Sequence, residues 1–377
     1  MGQVNQGQTA DSGVVRAIFV VALLVIIMAG VKVASNLLVP FLLSIFIAIA
    51  CNPLVNKAVE YRVPKIVAVF VVIGLFFGAG FLITGLLGNS LNELSSSMPT
   101  YKSQVTEKFS GLIDTLANNN IRVSKSFFMQ YLDPGAAMGF AANMLSSFGN
   151  IMANLFFIIL TVVFMLLEAS TIPTKLHLAF QDPQMKMAQI DKFLSSVNQY
   201  LAIKTVVSIG TGILVSTMLW AFGLDFYLLW GVVAFLFNFI PNIGSIIAAV
   251  PAVLLALVQL NPAMAGFIGL GYILINTVMG NIVEPKYLGK GLGLSTLVVF
   301  LSLVFWGWLL GTVGMLLSVP LTMIIKIALE NSAEGQWFSV LLSDSARLDT
   351  QVEQLQQDED VDKDNDAQQD DVVKQNH

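Results

Sequence analysis

Seven long stretches of this chain contain no Asp, Glu, Lys or Arg, and together they hold more than half of its residues. They cover residues 17–31, 33–56, 66–92, 134–167, 205–224, 226–283 and 291–325. A helix needs about 20 apolar residues to cross the hydrocarbon core of a bilayer, because each residue advances it by about 1.5 Å. The stretches do not alternate apolar and polar residues, as the strands of a membrane barrel would. The pattern therefore predicts an all-α polytopic membrane protein.

The two longest stretches contain residues that end helices. Stretch 226–283 breaks at 241–244 and again at 261–262, which leaves pieces at 228–240 and 244–259 that are short for complete crossings. A re-entrant hairpin followed by a full helix at 264–283 fits these lengths, although three thin crossings satisfy the same charge count. Stretch 291–325 breaks at 307–311 and predicts a second hairpin that enters from the opposite face. Opposed broken hairpins are typical of secondary transporters, because irregular backbone at membrane depth needs protein or a water-filled path to satisfy it.

The basic residues predict the orientation of the chain. With the N-terminus inside, fourteen Lys and Arg residues lie on the cytoplasmic side and five lie outside, in agreement with the positive-inside rule. Both termini are then cytoplasmic. The first stretch, flanked by Arg16 and Lys32, predicts a retained helix. A cleaved signal peptide is the alternative, but no small-x-small cleavage site precedes Lys32.

The sequence divides into seven predicted segments. They are an N-terminal tail (1–13), N-terminal membrane helices (14–88), an external amphipathic helical segment (89–148), a membrane helix (149–168), a cytoplasmic amphipathic connector (169–204), a membrane transport core with both hairpins (205–328), and a cytoplasmic acidic tail (329–377), disordered after about 343. Apolar residues at helical spacing mark the external and the cytoplasmic amphipathic segments, namely Val105, Phe109, Leu112, Ile113 and Leu116 in the former and Ile190, Phe193, Leu194, Val197 and Leu201 in the latter. Each face fits the bilayer surface, a neighbouring subunit or the chain's own membrane domain.

The composition excludes several classes of protein. The chain is 56% hydrophobic and only 11% charged, well outside the range of soluble domains. Residues 344–377 carry eleven acids and three bases, and solvation explains such a block more simply than a regulatory or metal-attracting role. One Cys and two His leave no basis for a disulfide framework or a metal site. Hydrolase and phosphate-loop motifs are missing, so we expect no enzyme activity, no cofactor, no metal and no nucleic-acid partner.

A first group of candidate pathway residues lies at the break in the longer stretch. Asn238, Pro241 and Asn242 offer amide donors and acceptors, and proline frees the carbonyl one turn earlier. Gly244 and Pro251 follow on the second arm of the hairpin. Such groups suit a small neutral polyol better than a bare ion. The alternative is that the asparagines only cap the two half-helices.

A second group follows at Asn276, Asn281, Glu284 and Pro285. Glu284 is the only acid between Asp225 and Glu330 and stands near the inner end of a predicted span. An ionisable residue at such a place is a candidate proton or cation acceptor. An interfacial ion pair with the nearby Lys286 or Lys290 is the alternative. The second hairpin supplies candidate hinge residues at Gly307, Gly311 and Pro320.

These motifs resemble the autoinducer-2 exporter family, in particular its subgroup that transports the quorum-sensing signal. The resemblance rests on residues 241–257 (PNIGSIIAAVPAVLLAL), 281–286 (NIVEPK), 289–295 (GKGLGLS), 305–311 (FWGWLLG) and 316–322 (LLSVPLT). It extends over about residues 14–342. The resemblance implies about eight membrane segments, a bacterial inner membrane, and a homo-oligomer, a pentamer, in which each protomer moves its substrate by an elevator-like step.

The sequence leaves three functions open. The first is export of a small hydrophilic signalling molecule, autoinducer-2, without ATP hydrolysis, with the lipid bilayer and further copies of the chain as partners. The second is sodium/proton antiport through Glu284, an activity also proposed within the family. The third is a membrane scaffold that transports nothing and recruits partners through the tail.

Overall fold

A computed structural model describes residues 7–118, 154–179, 183–241, 243–288, 293–330 and 335–344. These ranges are helical, apart from short connections and one isolated antiparallel bridge between Leu294 and Ser343. The α-helices are α1 (Gly7–Val33), α2 (Ser35–Glu60), α3 (Lys65–Asn118), α4 (Leu155–Glu168), α5 (Ile172–Ala179), α6 (Pro183–Ala221), α7 (Tyr227–Phe237), α8 (Gly244–Gln259), α9 (Pro262–Asn276), α10 (Glu284–Leu288), α11 (Thr296–Leu316), α12 (Ser318–Glu330) and α13 (Gln336–Leu341). A π-helix, Thr277–Val283, joins α9 to α10.

The helices have the length and surface of membrane spans. In the described ranges, five segments are long and apolar enough to cross a bilayer, namely Ser35–Glu60, Lys65–Ser97, Ile190–Ala221, Pro262–Tyr287 and Thr296–Leu316. Large apolar side chains such as Phe19 and Leu75 are 71% and 72% exposed, which suits contact with lipid and not with water. The predicted all-α polytopic membrane fold is therefore confirmed.

Helices α2, α3 and α4 form one packed unit. Only Ala34 separates α1 from α2, and its amide still donates to the Gly30 carbonyl, so α2 continues from α1 with a single bend. Cys51 of α2, Val69 of α3 and Val162 of α4 are almost completely buried against one another. Helix α3 does not end near residue 88 but continues to Asn118, a length of about 80 Å at 1.5 Å per residue. The predicted external segment thus begins as a continuation of this helix, while residues 119–153 lie outside the described ranges.

The predicted cytoplasmic connector also merges with a membrane span. Helix α6 runs without interruption through residue 204, where the connector was expected to end. Val197 of the amphipathic face is fully buried, and Phe193 and Leu201 pack beside it against α11 and α12. The sequence left this face the choice of the bilayer surface, a neighbouring subunit or the chain's own membrane domain. These three residues pack against the chain's own membrane domain.

Helices α7 and α8 form the first broken hairpin, which packs against α6 and α9 around Trp230 and Phe237. Gly212 of α6 and Gly231 of α7 allow the two backbones to approach closely, since a Cβ on Gly212 would lie 2.8 Å from the Gly231 carbonyl oxygen. At one end of the hairpin, Gln259 binds the backbone of Gly223 and Asp225. The hydroxyl of Tyr101, on the extension of α3, donates to Asp225 Oδ2 at 2.9 Å.

Helices α11 and α12 form the second broken hairpin. The helical path of α11 is interrupted at Gly311, whose φ of 71° and ψ of −151° are accessible essentially to glycine alone. Gly307 packs against Met315 across this break, and Pro320 is buried inside α12. The indole of Trp306 donates to Thr322 Oγ1 at 3.1 Å and ties the two arms together.

The last described residues return to the start of this hairpin. Ser295 donates its amide to the carbonyl of Leu342, and Asp344 donates to that of Gly293. The ammonium of Lys326 also donates to Gly293. The predicted disordered acidic tail after residue 344 lies outside the described ranges.

Candidate functional site

The break between α7 and α8 is built by local backbone constraints. Asn238 ends α7, and its amide still donates to the Ala234 carbonyl. Pro241 is buried in the turn, and Asn242 lies outside the described residues. Gly244 begins α8 so close to the end of α7 that a Cβ there would lie 1.8 Å from the Phe237 carbonyl oxygen. Only glycine fits this position, which explains why the two half-helices fold back on each other here.

Asn238 turns its side chain inward to a neighbouring helix. Its Nδ2 donates to Ser208 Oγ of α6 at 3.0 Å, and the two residues are 7% and 0% exposed. This amide does not cap a half-helix, so capping is not the role of its side chain. In contrast, Asn261 does cap, because its Oδ1 accepts from the Met264 amide at the start of α9. Asn238 therefore contributes a buried neutral polar group beside the break.

The second predicted group follows an irregular helix. Asn276 precedes the π-helix, and Asn281 within it and Pro285 after it are exposed. Glu284 is the first residue of α10, and its amide donates to Met279, five residues earlier, which is the wide spacing of a π-helix. Such π-segments are frequent at functional sites. Here the π-helix determines how Glu284 approaches its neighbours.

The carboxylate of Glu284 forms a buried ion pair with Lys204 of α6. Both carboxylate oxygens lie 2.9 Å from Lys204 Nζ, and the two side chains are 6% (Lys204) and 16% (Glu284) exposed. The sequence-based alternative of an interfacial ion pair between Glu284 and Lys286 is wrong. Lys286 is exposed, and the described partner of Glu284 is Lys204, which lies 80 residues earlier in the chain. Lys290, the other expected partner, lies outside them. A buried carboxylate requires such a partner because an unpaired charge is costly to remove from water.

Helix α6 connects the two groups through one buried polar face. Tyr200, Lys204, Ser208 and Thr211 recur at helical spacing over about 16 Å, and all four are at most 5% exposed. The hydroxyl of Tyr200 has no hydrogen-bond partner in the described part of the chain and lies within electrostatic range of Glu284. Sequence reasoning missed Lys204 and Ser208, because Lys204 was assigned to the connector. Their helical spacing with Tyr200 and Thr211 was the available signal.

The remaining candidates lie in the helices of the two hairpins. Pro251 is buried inside α8, and Val319 and Met323 of the second hairpin pack against Tyr200. Gly307, Gly311 and Pro320 shape that hairpin and make no polar contact with the ion pair in the described ranges. No group of three His, Cys, Asp or Glu side chains occurs there either. The site thus offers an amide, hydroxyls and one acid–base pair.

Comparison with known proteins assigns the family. The sequence model of the AI-2E family transporters matches residues 21–334. This chain belongs to the AI-2E transporter family. Among its relatives, the AI-2 transport protein TqsA of Escherichia coli strain K12 is 46% identical over 329 residues, which are 87% of this chain and 96% of that protein. A Haemophilus influenzae protein is 44% identical with the same coverage. The sodium-lithium/proton antiporter of Halobacillus andaensis is 23% identical over 78% of this chain and 89% of its own length.

The predicted resemblance to this family is thereby confirmed. The AI-2E transporter described here is a multi-pass membrane protein whose buried polar face on α6 contacts Asn238 after α7 through Ser208 and packs against α12 through Tyr200. A transporter must pass polar groups through an apolar barrier, and buried polar residues within membrane helices mark such pathways. The face that carries Lys204 and Ser208 is therefore the candidate transport site.

Proposed function

We propose that this protein exports autoinducer-2 across the bacterial inner membrane. The observation that supports the substrate class is the buried neutral pair of Asn238 and Ser208 beside the helix break. Autoinducer-2 is a furanosyl diol derivative, and its hydroxyl groups both donate and accept hydrogen bonds. An amide and a hydroxyl match those groups without requiring a charge. The relative from Escherichia coli is named an AI-2 transport protein, and this name supports autoinducer-2 over other small polar molecules as the substrate.

The proposed mechanism is elevator-like movement without ATP hydrolysis. The sequence contains no nucleotide-binding motif, so the proposed transport is driven by a gradient or is passive. Two broken hairpins flank the polar face, as expected for a carrier that exposes one site alternately to the two sides. In this proposal the termini are cytoplasmic, the protein is a homo-pentamer, and it catalyses no covalent reaction.

Efflux from proteoliposomes tests the substrate. Purified protein is reconstituted into vesicles loaded with autoinducer-2, and release is followed with a reporter for that molecule. Asn238→Leu and Ser208→Ala each remove one buried polar partner, which costs about 1–3 kcal/mol. Efflux should therefore slow by between about fivefold and about 150-fold.

Thr217→Val is the matched control. Thr217 is on the same helix, but its hydroxyl is exposed and donates only to the Ile213 carbonyl. Its loss should leave efflux unchanged. The proposed substrate would be refuted if vesicles with wild-type protein released autoinducer-2 no faster than vesicles without protein. If Thr217→Val slowed efflux as much as the two other variants, the assignment of the buried polar face of α6 as the transport site would be refuted.

A further inference from the structure

The Lys204–Glu284 pair is difficult to explain as a source of stability. The Lys204 side chain is only 6% exposed and that of Glu284 is 16% exposed, and the gain from pairing in such a place rarely exceeds the loss of hydration. Apolar residues of similar size often replace a buried ion pair without loss of stability. A pair buried at the candidate transport site therefore calls for a functional reason.

The backbone around Glu284 is suited to movement relative to α6. The π-helix before it has a widened hydrogen-bond ladder, and Pro285 after it has no amide hydrogen to donate. Lys204, in contrast, stands in the middle of a continuous 39-residue helix. The carboxylate is thus carried by irregular backbone and the ammonium by a regular helix, so the pair joins two elements that differ in rigidity.

The surroundings of Glu284 contain few other groups that titrate. From α6 it faces Lys204 and Tyr200, and its own segment adds Lys286 and Tyr287, both exposed. Helix α9, which leads into the π-helix, carries no Asp, Glu, Lys or Arg. Ser208, with Asn238 bound to it, lies one helical turn from Lys204. A polyol held by Ser208 and Asn238 would therefore bring its hydroxyl groups within reach of the ion pair.

We infer that Lys204 and Glu284 form a proton-exchange site that couples export of the polyol to entry of one proton. This inference rests on the proposed function. On the cytoplasmic side the carboxylate is ionised and accepts hydrogen bonds from two substrate hydroxyls. On the outer side a proton binds one carboxylate oxygen and turns it into a hydroxyl donor, which displaces the substrate hydroxyl bound there and releases the substrate with its own protons intact.

The empty carrier returns with Glu284 protonated and Lys204 still charged. On the cytoplasmic side Glu284 loses the proton, and Lys204 pairs again with the carboxylate. One proton enters for each molecule exported, and no bond within the substrate changes. Substrate and proton exclude each other at the same carboxylate, which is the requirement for exchange.

The equilibrium distribution of autoinducer-2 across proteoliposomes with a pH difference of one unit tests the coupling. The membrane potential is held at zero with potassium and valinomycin. Exchange of one proton per molecule drives autoinducer-2 to the acidic side by about tenfold, because both gradients then carry equal free energy. This ratio does not depend on how the protein is oriented in the vesicle.

Two variants and one control complete the experiment. Glu284→Gln, and the double variant Lys204→Gln/Glu284→Gln that leaves no buried charge, should equilibrate autoinducer-2 to a ratio of about one despite the pH difference. Glu168→Gln alters an exposed ion pair, with Lys175, and should retain the tenfold ratio. A tenfold ratio in both Glu284 variants would overturn the inference.

The result in wild type separates the inference from the proposed function. Equilibration to a ratio of one would overturn coupling and leave autoinducer-2 transport in place. Absence of any autoinducer-2 movement would overturn both. Proton movement driven by a sodium gradient without autoinducer-2 would also overturn the inference and assign Glu284 to cation exchange.

Discussion

The buried ion pair makes a prediction about stability that does not depend on the substrate. Glu284→Leu leaves the Lys204 ammonium, 6% exposed, without its carboxylate, and Lys204→Met leaves Glu284, 16% exposed, without its ammonium. Removing one partner of a buried pair costs about 3–5 kcal/mol, and the larger loss should follow Glu284→Leu because Lys204 is the more buried group. The double variant removes both charges, and its free energy of unfolding should lie within about 1 kcal/mol of that of wild type.

The double-mutant cycle therefore has a coupling energy of about 3 kcal/mol or more. Reversible unfolding of the purified protein in mixed detergent micelles measures the four free energies. The exposed pair of Glu168 and Lys175 provides a parallel cycle, in which solvent screening should leave a coupling close to zero. The reasoning is refuted if the two buried variants are additive, or if each single variant is as stable as wild type.

Three further predictions use the same unfolding assay. Gly244→Ala places a Cβ 1.8 Å from the Phe237 carbonyl oxygen and should lower the free energy of unfolding by about 1–3 kcal/mol or more. The control is Gly269→Ala, whose Cβ would lie 3.8 Å from its nearest neighbour and whose effect on stability should be neutral or favourable. Gly311→Ala forces φ of 71° and ψ of −151° on a residue with a Cβ and should lose about 1–3 kcal/mol, with Gly269→Ala again as control. Burial and the Asp225 carboxylate raise the pKa of the Tyr101 phenol, so the folded state favours its protonated form. The contribution of this phenol to stability is complete below its ordinary pKa of about 10 and is lost as the pH rises above that value. The free energy of unfolding of wild type should therefore exceed that of Tyr101→Phe by less at pH 11 than at pH 8. A difference in stability that stays constant over this range would contradict the assignment.

Much of the helical order could be predicted because its signals are local. The pieces predicted at 228–240, 244–259 and 264–283 correspond to α7, α8 and the combined α9 and π-helix. Proline, glycine and asparagine end helices through their own backbone chemistry, and the breaks were predicted where such residues cluster, whereas Pro251 alone lies inside α8. The π-helix has no comparable signature, and nothing in residues 277–283 distinguished it from an α-helix.

The continuity of α3 and α6 was missed for a different reason. Polar residues after 88 and before 205 indicate where lipid contact ends, but a helix needs no lipid to continue. Its backbone hydrogen bonds are internal, and polar residues such as Glu, Lys and Gln are good helix formers. Hydropathy therefore predicted the limits of the membrane and not the limits of these helices.

The ion pair was missed because charge counting assigns a residue to a side of the membrane and not to a partner. Lys204 lies at the edge of an uncharged run, and in the count it was one more cytoplasmic base. Its partner is 80 residues away, so no local pattern connects the two residues. The spacing of Tyr200, Lys204, Ser208 and Thr211 indicated a polar face, but only the packing of α6 shows that this face is buried.

The position of that face also bears on where the transporter changes shape. Lys204 and Ser208 stand on one uninterrupted helix, so the distance between them is nearly constant. Their partners come from irregular backbone: Asn238 from the break after α7, and Glu284 from the end of the π-helix. Rearrangement costs least where helix hydrogen bonds are already missing. In the proposed elevator-like movement, Asn238 and Glu284 should therefore separate from α6, and distance measurements between spin labels should change across these two contacts while α6 keeps its length.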